Sequence, residues 1–537
     1  MKIYKFASLI ALGLGLAACS QMDEMLPQSG TLLKSQVQQI NQELPERAEA
    51  TFAGIFSDLG YPAKLASRPD DFGFIMMNLS NDLEGPDAVF PNSNYNWFSV
   101  CGEYSSRNAN YANPRQRYRY PYNTIGAVND FLGGFAEDVS DQNFIYMMAQ
   151  ARAVRAYAYF MLAQGFQFNY QIAADKPCVP ITTPETPDVT NNPRATVQEV
   201  YDYIMADLNY AVENLEGYER VSKMYIDKSV ALGLRARVQL VMGKWAEAAA
   251  DAQKAMEGYT PASIEEVSKP AFMDINEHNW MWGYDMTESM AGNSRYSTVS
   301  SWLSSFSGWS YSAGTGCYAM INSLLWNKIP ATDVRKGWWV DGDLKSPLLD
   351  GLTWDGKGDI ANLKIDDVKE VFLPYTNVKF GCNPIGTNTN SEDYPFMRVE
   401  EMILIQAEGL ARSGNAAQAQ QILTAFVTKY RDPSYDVAGR GLSLENEIWF
   451  QRRVELWGEG FGIFDVKRLN RPLVRTHGSG TSNWPDAFAF NLPADDPYLL
   501  LRFPQGELNT NFGIVDNSGG KQPVADQNNT LRDGVTD

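Results

Sequence analysis

A sugar ring has a rim of hydroxyls and two apolar C–H faces. A site that holds one needs flat aromatic rings to stack on, set beside Asn, Asp or Arg that read the hydroxyls. Two stretches of this 537-residue chain carry that mixture. The first runs from Asp70 to Trp97 and includes Asn94 and Tyr95. The second runs from Asn279 to Tyr318 and includes Trp282, Tyr296, Trp302 and Trp309. Tryptophan and tyrosine bring large contact area with little rotamer entropy to lose. Polar or glycine-rich neighbours around Trp97, Tyr296, Trp302 and Trp309 argue against deep burial, so these four lead the candidates, with Asp70, Asn94, Tyr95 and Trp282 beside them. The competing reading is that each ring packs an irregular region onto a scaffold.

Catalysis is a poorer reading. The chain has 2 histidines, His278 and His477, which all but removes His-based triads and His-rich metal sites. No glycine-rich phosphate loop follows a strand, and Gly-x-Ser-x-Gly is absent. The 64 Asp and Glu residues leave a glycosidase carboxylate pair open, but no pair stands out. Asp341-Gly-Asp343 and Asp355-Gly-Lys-Gly-Asp359 offer oxygens of the kind calcium takes, although such runs are more often plain turns. The expectation is a binding protein, not an enzyme, with no metal and no cofactor. A formal net charge of −19 argues against nucleic acid, since phosphate neutralisation needs clustered Lys and Arg.

The elements that must position the aromatics are mostly helical. Helical periodicity covers 44–59, a loop-like stretch follows from 60 to 119, and the helical pattern resumes near Tyr122. It is strongest over 143–168, where small residues alternate with Tyr157 and Phe160 as closely approaching helices require. Prolines at 184, 187 and 193 precede a further helix over 196–215. Two units, 228–257 and 398–429, then share the small-residue and glycine spacing of tetratricopeptide helix pairs. Between them periodicity fades, and this window holds eight of the 13 tryptophans. The run 447–469, read as one helix, puts Trp449, Arg453, Leu456 and Gly460 on one face and Arg452, Glu455 and Glu459 on another. Its charges call for partners from other elements, a solvated ion-pair face being the other reading.

The N-terminus reads as a targeting segment. Lys2 and Lys5 precede an apolar run too short to span a bilayer, then Leu16-Ala17-Ala18-Cys19 resembles a bacterial lipobox. Acyl chains on Cys19, at roughly 0.8 kcal/mol per buried CH₂, would make a permanent anchor in outer-membrane lipid. Of the other cysteines, Cys101, Cys178, Cys317 and Cys382 have no Cys-x-x-Cys spacing, and mostly free, buried thiols are expected.

Several segments resemble the SusD/RagB family of Bacteroidetes. In 447–469, Arg453, Glu455-Leu456, Glu459-Gly460, Asp465-Val466 and Arg468 fall on its C-terminal signature. Gln451 or Arg452 replaces an expected acid there, and Gly462 or Ile463 an expected arginine. These positions are read as scaffold, since they form no reactive pair. Arg155-Ala156 and Tyr159-Phe160, the exit Pro177-Cys-Val-Pro180-Ile, segment 398–412 and the closing run 501–511 match in the same order. The resemblance implies a mainly α protein of tetratricopeptide-like helix pairs with a large irregular, loop-rich region packed against them. Its expected parts are a lipoprotein signal peptide (1–18), a lipidated tether (19–30) and a single domain (31–537). Within that domain the helical scaffold would span about 31–259 and 396–470, the aromatic-rich irregular region about 260–395, and a loop-rich closure 471–537. The implied function is capture of oligosaccharide at the exterior face of the outer membrane and its delivery to a TonB-dependent SusC-like transporter. Peptide cargo is the alternative, and a glycoside hydrolase a weaker one.

Overall fold

The computed structural model describes residues 32, 34–93, 96–136, 138–186, 188–354 and 372–537. The lipobox, Cys19, the whole 19–30 tether, and Asp355 and Asp359 lie outside the described residues. The principal helices are α1 (Lys34–Glu43), α2 (Pro45–Ser57), α3 (Gly73–Glu84), α4 (Ala112–Gly133), α5 (Gln142–Phe166), α6 (Val197–Asn214), α7 (Lys228–Met242) and α8 (Trp245–Ala255). After two short helices, α9 (Val299–Leu303) and α10 (Tyr311–Thr315), come α11 (Val399–Arg412), α12 (Ala416–Tyr430), α13 (Leu444–Glu455) and α14 (Gly462–Arg468).

Local chemistry sets the ends of these helices. The Asp141 carboxylate accepts from two backbone N–H groups at the start of α5, and Thr196 with Glu199 forms a capping box on α6. Gly243, at φ +77, ends α7 in the left-handed region that glycine enters without strain.

From α4 to α8 each helix packs on the one before it, and α8 then packs on α11, which packs on α12. The two tetratricopeptide-like units, far apart in sequence, are thus direct neighbours. Gly409 marks their crossing: a Cβ there would sit 2.5 Å from the Trp245 carbonyl oxygen. The fold is mainly α, with helix pairs forming one continuous scaffold.

Two expectations fail. The stretch 60–119 is not all loop, because it contains α3 and the start of α4. Every one of the 12 residues of α3 is buried, so it has no solvent face to print a helical period on its sequence. The run 447–469 is also not one helix. It breaks between α13 and α14, where Gly458 and Gly460 take φ of +84 and +95. The Asp82 carboxylate of α3 fills the break, accepting from Gly460 N–H at 2.9 Å and Gly462 N–H at 2.8 Å.

The charges of this run are buried and paired with other elements. The Glu455 carboxylate meets Arg335, Arg398 and Arg431 at 3.2, 3.1 and 2.8 Å. Glu459 binds Arg398 and Lys379, and Arg453 clamps Asp87 and Asp533. Burial pushes the Glu455 carboxyl up, but three guanidiniums overcome this and hold it well below the usual range. The signature residues are therefore scaffold, tying the helices to the irregular region.

That region is stitched in by short antiparallel pairs: β1 (Ala88–Val89) with β3 (Met320–Ile321), and β2 (Trp280–Tyr284) with β4 (Tyr394–Arg398). A third pair, β5 (Leu473–Val474) with β6 (Asn491–Leu492), closes the C-terminal part. Trp280, Trp282, Trp302, Trp338 and Trp339 are fully buried in the same core as the helices. The four cysteines 101, 178, 317 and 382 are free and buried, as expected. Asp341 forms a turn, its carboxylate accepting from the Asp343 and Lys345 N–H groups.

Candidate functional site

Three loops meet around one tyrosine. Thr298 caps α9 and Ser310 caps α10, each accepting a backbone N–H, and the turn between the two helices carries Gly308 and Trp309. Gly308 N–H donates to the Thr387 carbonyl at 2.9 Å, and a Cβ at 308 would lie 2.4 Å from the Gly386 carbonyl oxygen. Only glycine allows that approach. The Asn390 amide, buried beneath, donates to the carbonyls of Arg295 (2.6 Å) and Trp309 (2.7 Å). The backbones at Tyr296 and Trp309 are thus pinned by one side chain, while their rings stay 37% and 45% exposed.

Tyr311 sits at the centre. Its ring lies flat on Trp302, with centroids 4.4 Å apart and planes within 6°. Tyr296 meets its edge at 5.3 Å and is 6.0 Å from Trp309. Trp97 Nε1–H donates to the Tyr311 hydroxyl at 3.0 Å. The Arg68 guanidinium rests 4.7 Å above the Trp97 ring and binds both oxygens of Asp70, at 2.8 and 3.0 Å. Burial raises the Asp70 carboxyl, against the lowering pull of Arg68. The outcome is a surface of four aromatic rings, Trp97, Tyr296, Trp309 and Tyr311, in which Tyr311 is backed by Trp302 and tied to Trp97 through its hydroxyl.

The structure brings Trp97, Tyr296 and Trp309 together, and corrects three other assignments. Trp302 is fully buried, donating its Nε1–H to the Pro69 carbonyl at 2.9 Å, so it supports the surface from beneath. Trp282 is fully buried in β2 against Tyr157 and Phe396, with its Nε1–H on the Met224 carbonyl. Asp70 is inaccessible and engaged by Arg68, so it cannot reach a ligand hydroxyl. Asn94 and Tyr95 lie outside the described residues. Sequence reasoning missed Tyr311, Arg68 and Asn390. The polar run 387–390 was a visible signal, but nothing in it tells which asparagine folds inward.

Two family models match the chain. One, described as "Starch-binding associating with outer membrane", matches residues 77–240, and the other, "SusD family", matches 372–519. The chain belongs to the SusD/RagB family. A curated relative, the SusD-like protein P2 of Formosa agariphila, is 24% identical over 419 residues, covering 74% of this chain and 79% of that protein. Solved structures share the fold. A SusD-like carbohydrate binding protein from Bacteroides vulgatus superposes with TM-score 0.70 at 23% identity, over 87% of this chain and 97% of its own. A laminarin binding SusD-like protein gives 0.61 at 18%, over 88% and 99%. In this SusD/RagB chain, Tyr296, Trp309 and Tyr311 fall between the two family matches, while Trp97 lies inside the first.

Proposed function

We propose that this SusD/RagB chain captures oligosaccharide or polysaccharide fragments on the Trp97–Tyr296–Trp309–Tyr311 surface. The observation that carries the reading is the exposure of Trp309 and Tyr296 beside a Tyr311 ring that is stacked on the buried Trp302. Exposed rings whose backbones are already pinned lose little freedom when a sugar C–H face settles on them. Arg295 and Asn388, both exposed beside this surface, are placed to read hydroxyls. The laminarin-binding relative and the starch-binding description of the first matched family favour a glycan as cargo. Binding without turnover is the reading the site supports: its own carboxylate, Asp70, is buried and paired.

The remaining parts follow the family reading. Residues 1–18 would be removed, Cys19 acylated and 19–30 left as a tether, with 31–537 as one domain at the exterior face of the outer membrane. Among the described residues no helix is long and apolar enough to cross a membrane. Captured glycan would pass to a TonB-dependent SusC-like transporter.

Calorimetry against a panel of neutral glycans and peptides, with laminari-oligosaccharides included, tests the capture step. Binding that Trp309→Ala removes without lowering the melting temperature supports it. A panel on which only peptides bind would overturn it. Co-purification of an outer-membrane barrel from native membranes tests the delivery step, and its repeated failure would count against the partner.

A further inference from the structure

The helix α4 has two working sides. Gln116 and Tyr120 face the loop beneath the aromatic surface, where Gln116 donates to the Asp70 carbonyl at 3.3 Å and Tyr120 to the Asp71 carboxylate. One residue back, about 100° round the helix, Arg115 and Arg119 look elsewhere. They line a groove of about 700 Å³ bounded by α4, the segments 180–184 and 189–192, and the 504–511 turn. That volume lies inside the range of roughly 300–1,000 Å³ typical of ligand pockets.

The two arginines are unusual for this chain. In a protein of net charge −19, most buried and half-buried guanidiniums are held by carboxylates. Arg115 and Arg119 are exposed, and neither has a hydrogen-bond, ion-pair or ring partner among the described residues. One helical turn apart, they present two free forks on the same wall, the geometry that carboxylate and sulfate oxygens accept in pairs. The groove also holds two acids, Glu507 and Asp130. Glu507 accepts from Asn511 at 3.1 Å and lies against the Tyr118 phenol, so it is already engaged. Asp130 lies 11 residues beyond Arg119, about 16 Å along the helix axis, at the far end of the groove. The stretch between them offers Asn123 and Thr190 for hydroxyls, with Tyr122 as an apolar wall. At the rim Phe512 is 80% exposed, its backbone N–H fixed on the Thr190 carbonyl at 2.7 Å.

We propose that this groove is a second saccharide site, selective for acidic sugars, in which Arg115 and Arg119 hold a carboxylate or sulfate group of the ligand. The proposal takes from the reading above only that the cargo is a saccharide. The groove and the aromatic surface share α4 but no lining residue, so each is tested by its own variants.

The test is calorimetry on the purified full chain with three probes: a neutral laminarihexaose, an oligogalacturonate carrying carboxylates, and a carrageenan-derived oligosaccharide carrying sulfates. The expected result is that at least one acidic probe binds, and that Arg115→Gln with Arg119→Gln weakens it roughly tenfold or more at an unchanged melting temperature. Laminarihexaose binding would be unaffected by that pair of changes. The carboxylate and sulfate arms show which group the forks prefer. Acidic probes that do not bind, or whose binding ignores both arginines, overturn the groove site. If the acidic signal is lost in Trp309→Ala and kept in the arginine variant, all binding belongs to the aromatic surface and the groove proposal falls alone.

Discussion

Trp97 Nε1–H donates to the Tyr311 hydroxyl at 3.0 Å, across 214 residues of sequence. This bond joins the two aromatic stretches into one surface, and it ties Trp97 to the hydroxyl of the ring that Trp302 supports. Tyr311→Phe keeps the stack and removes the bond. A neutral hydrogen bond contributes about 1 kcal/mol, so glycan affinity should fall about fivefold while the melting temperature shifts by only a few degrees. Unchanged affinity would mean that Trp97 is not part of the working surface.

The exposed and buried tryptophans should separate cleanly. Trp309→Ala removes a ring that is 45% exposed, and should cost binding with little loss of stability. Trp302→Ala empties a fully buried position and should cost about 3–5 kcal/mol of stability, read from a urea midpoint. The opposite pattern would reverse the assignments of the two residues.

Asn390 is a positioning residue. It takes φ +53 and donates to both loop carbonyls, so Asn390→Ala strains the backbone and orphans two partly buried acceptors. A loss of roughly 2–3 kcal/mol and a matching loss of glycan affinity are expected. Asn390→Gly relieves the backbone strain alone and should recover only part of the stability. Full recovery by glycine would show that the amide does not hold the loops.

The buried carboxylates predict a one-sided pH response. Burial raises the Glu84 and Glu408 carboxyls, but Arg107 with Arg117, and Arg468 with Arg412, outweigh it and hold both at about 2. A lowered folded-state pKa contributes stability that is complete above the unfolded value near 4.5 and is lost as pH falls toward 2. Each such group is worth roughly 3 kcal/mol. Asp82 and Asp393, raised to about 7 by burial, act in the opposite sense and lower stability as pH rises from about 4 to 7. Denaturation midpoints against pH should therefore drop steeply below 4.5. Glu408→Gln should lower the plateau, by leaving Arg468 short of a partner, and flatten the acid limb. An acid limb of unchanged slope in that variant would refute the assignment.

The small residues of 228–257 and 398–429, the helical period of 143–168 and the family signature in 447–469 were enough, from sequence alone, to give a helical scaffold of tetratricopeptide-like pairs and a mixture of aromatic and polar residues suited to sugars. Local features settle such things: the period of small residues, and which residue types can stack or hydrogen-bond. Tertiary structure decided which rings face outward. Trp302 and Trp309 stand in equally polar surroundings in the sequence, yet one lies fully buried under Tyr311 and the other stands 45% exposed on a turn that Gly308 lets close on the 383–390 loop. It also decided that α3 is a helix, because a helix buried on every side prints no period. The break at Gly460, filled by Asp82 from a helix 378 residues away, is likewise invisible in the local sequence. Burial and partnership are properties of elements brought together in space, and no local pattern records them.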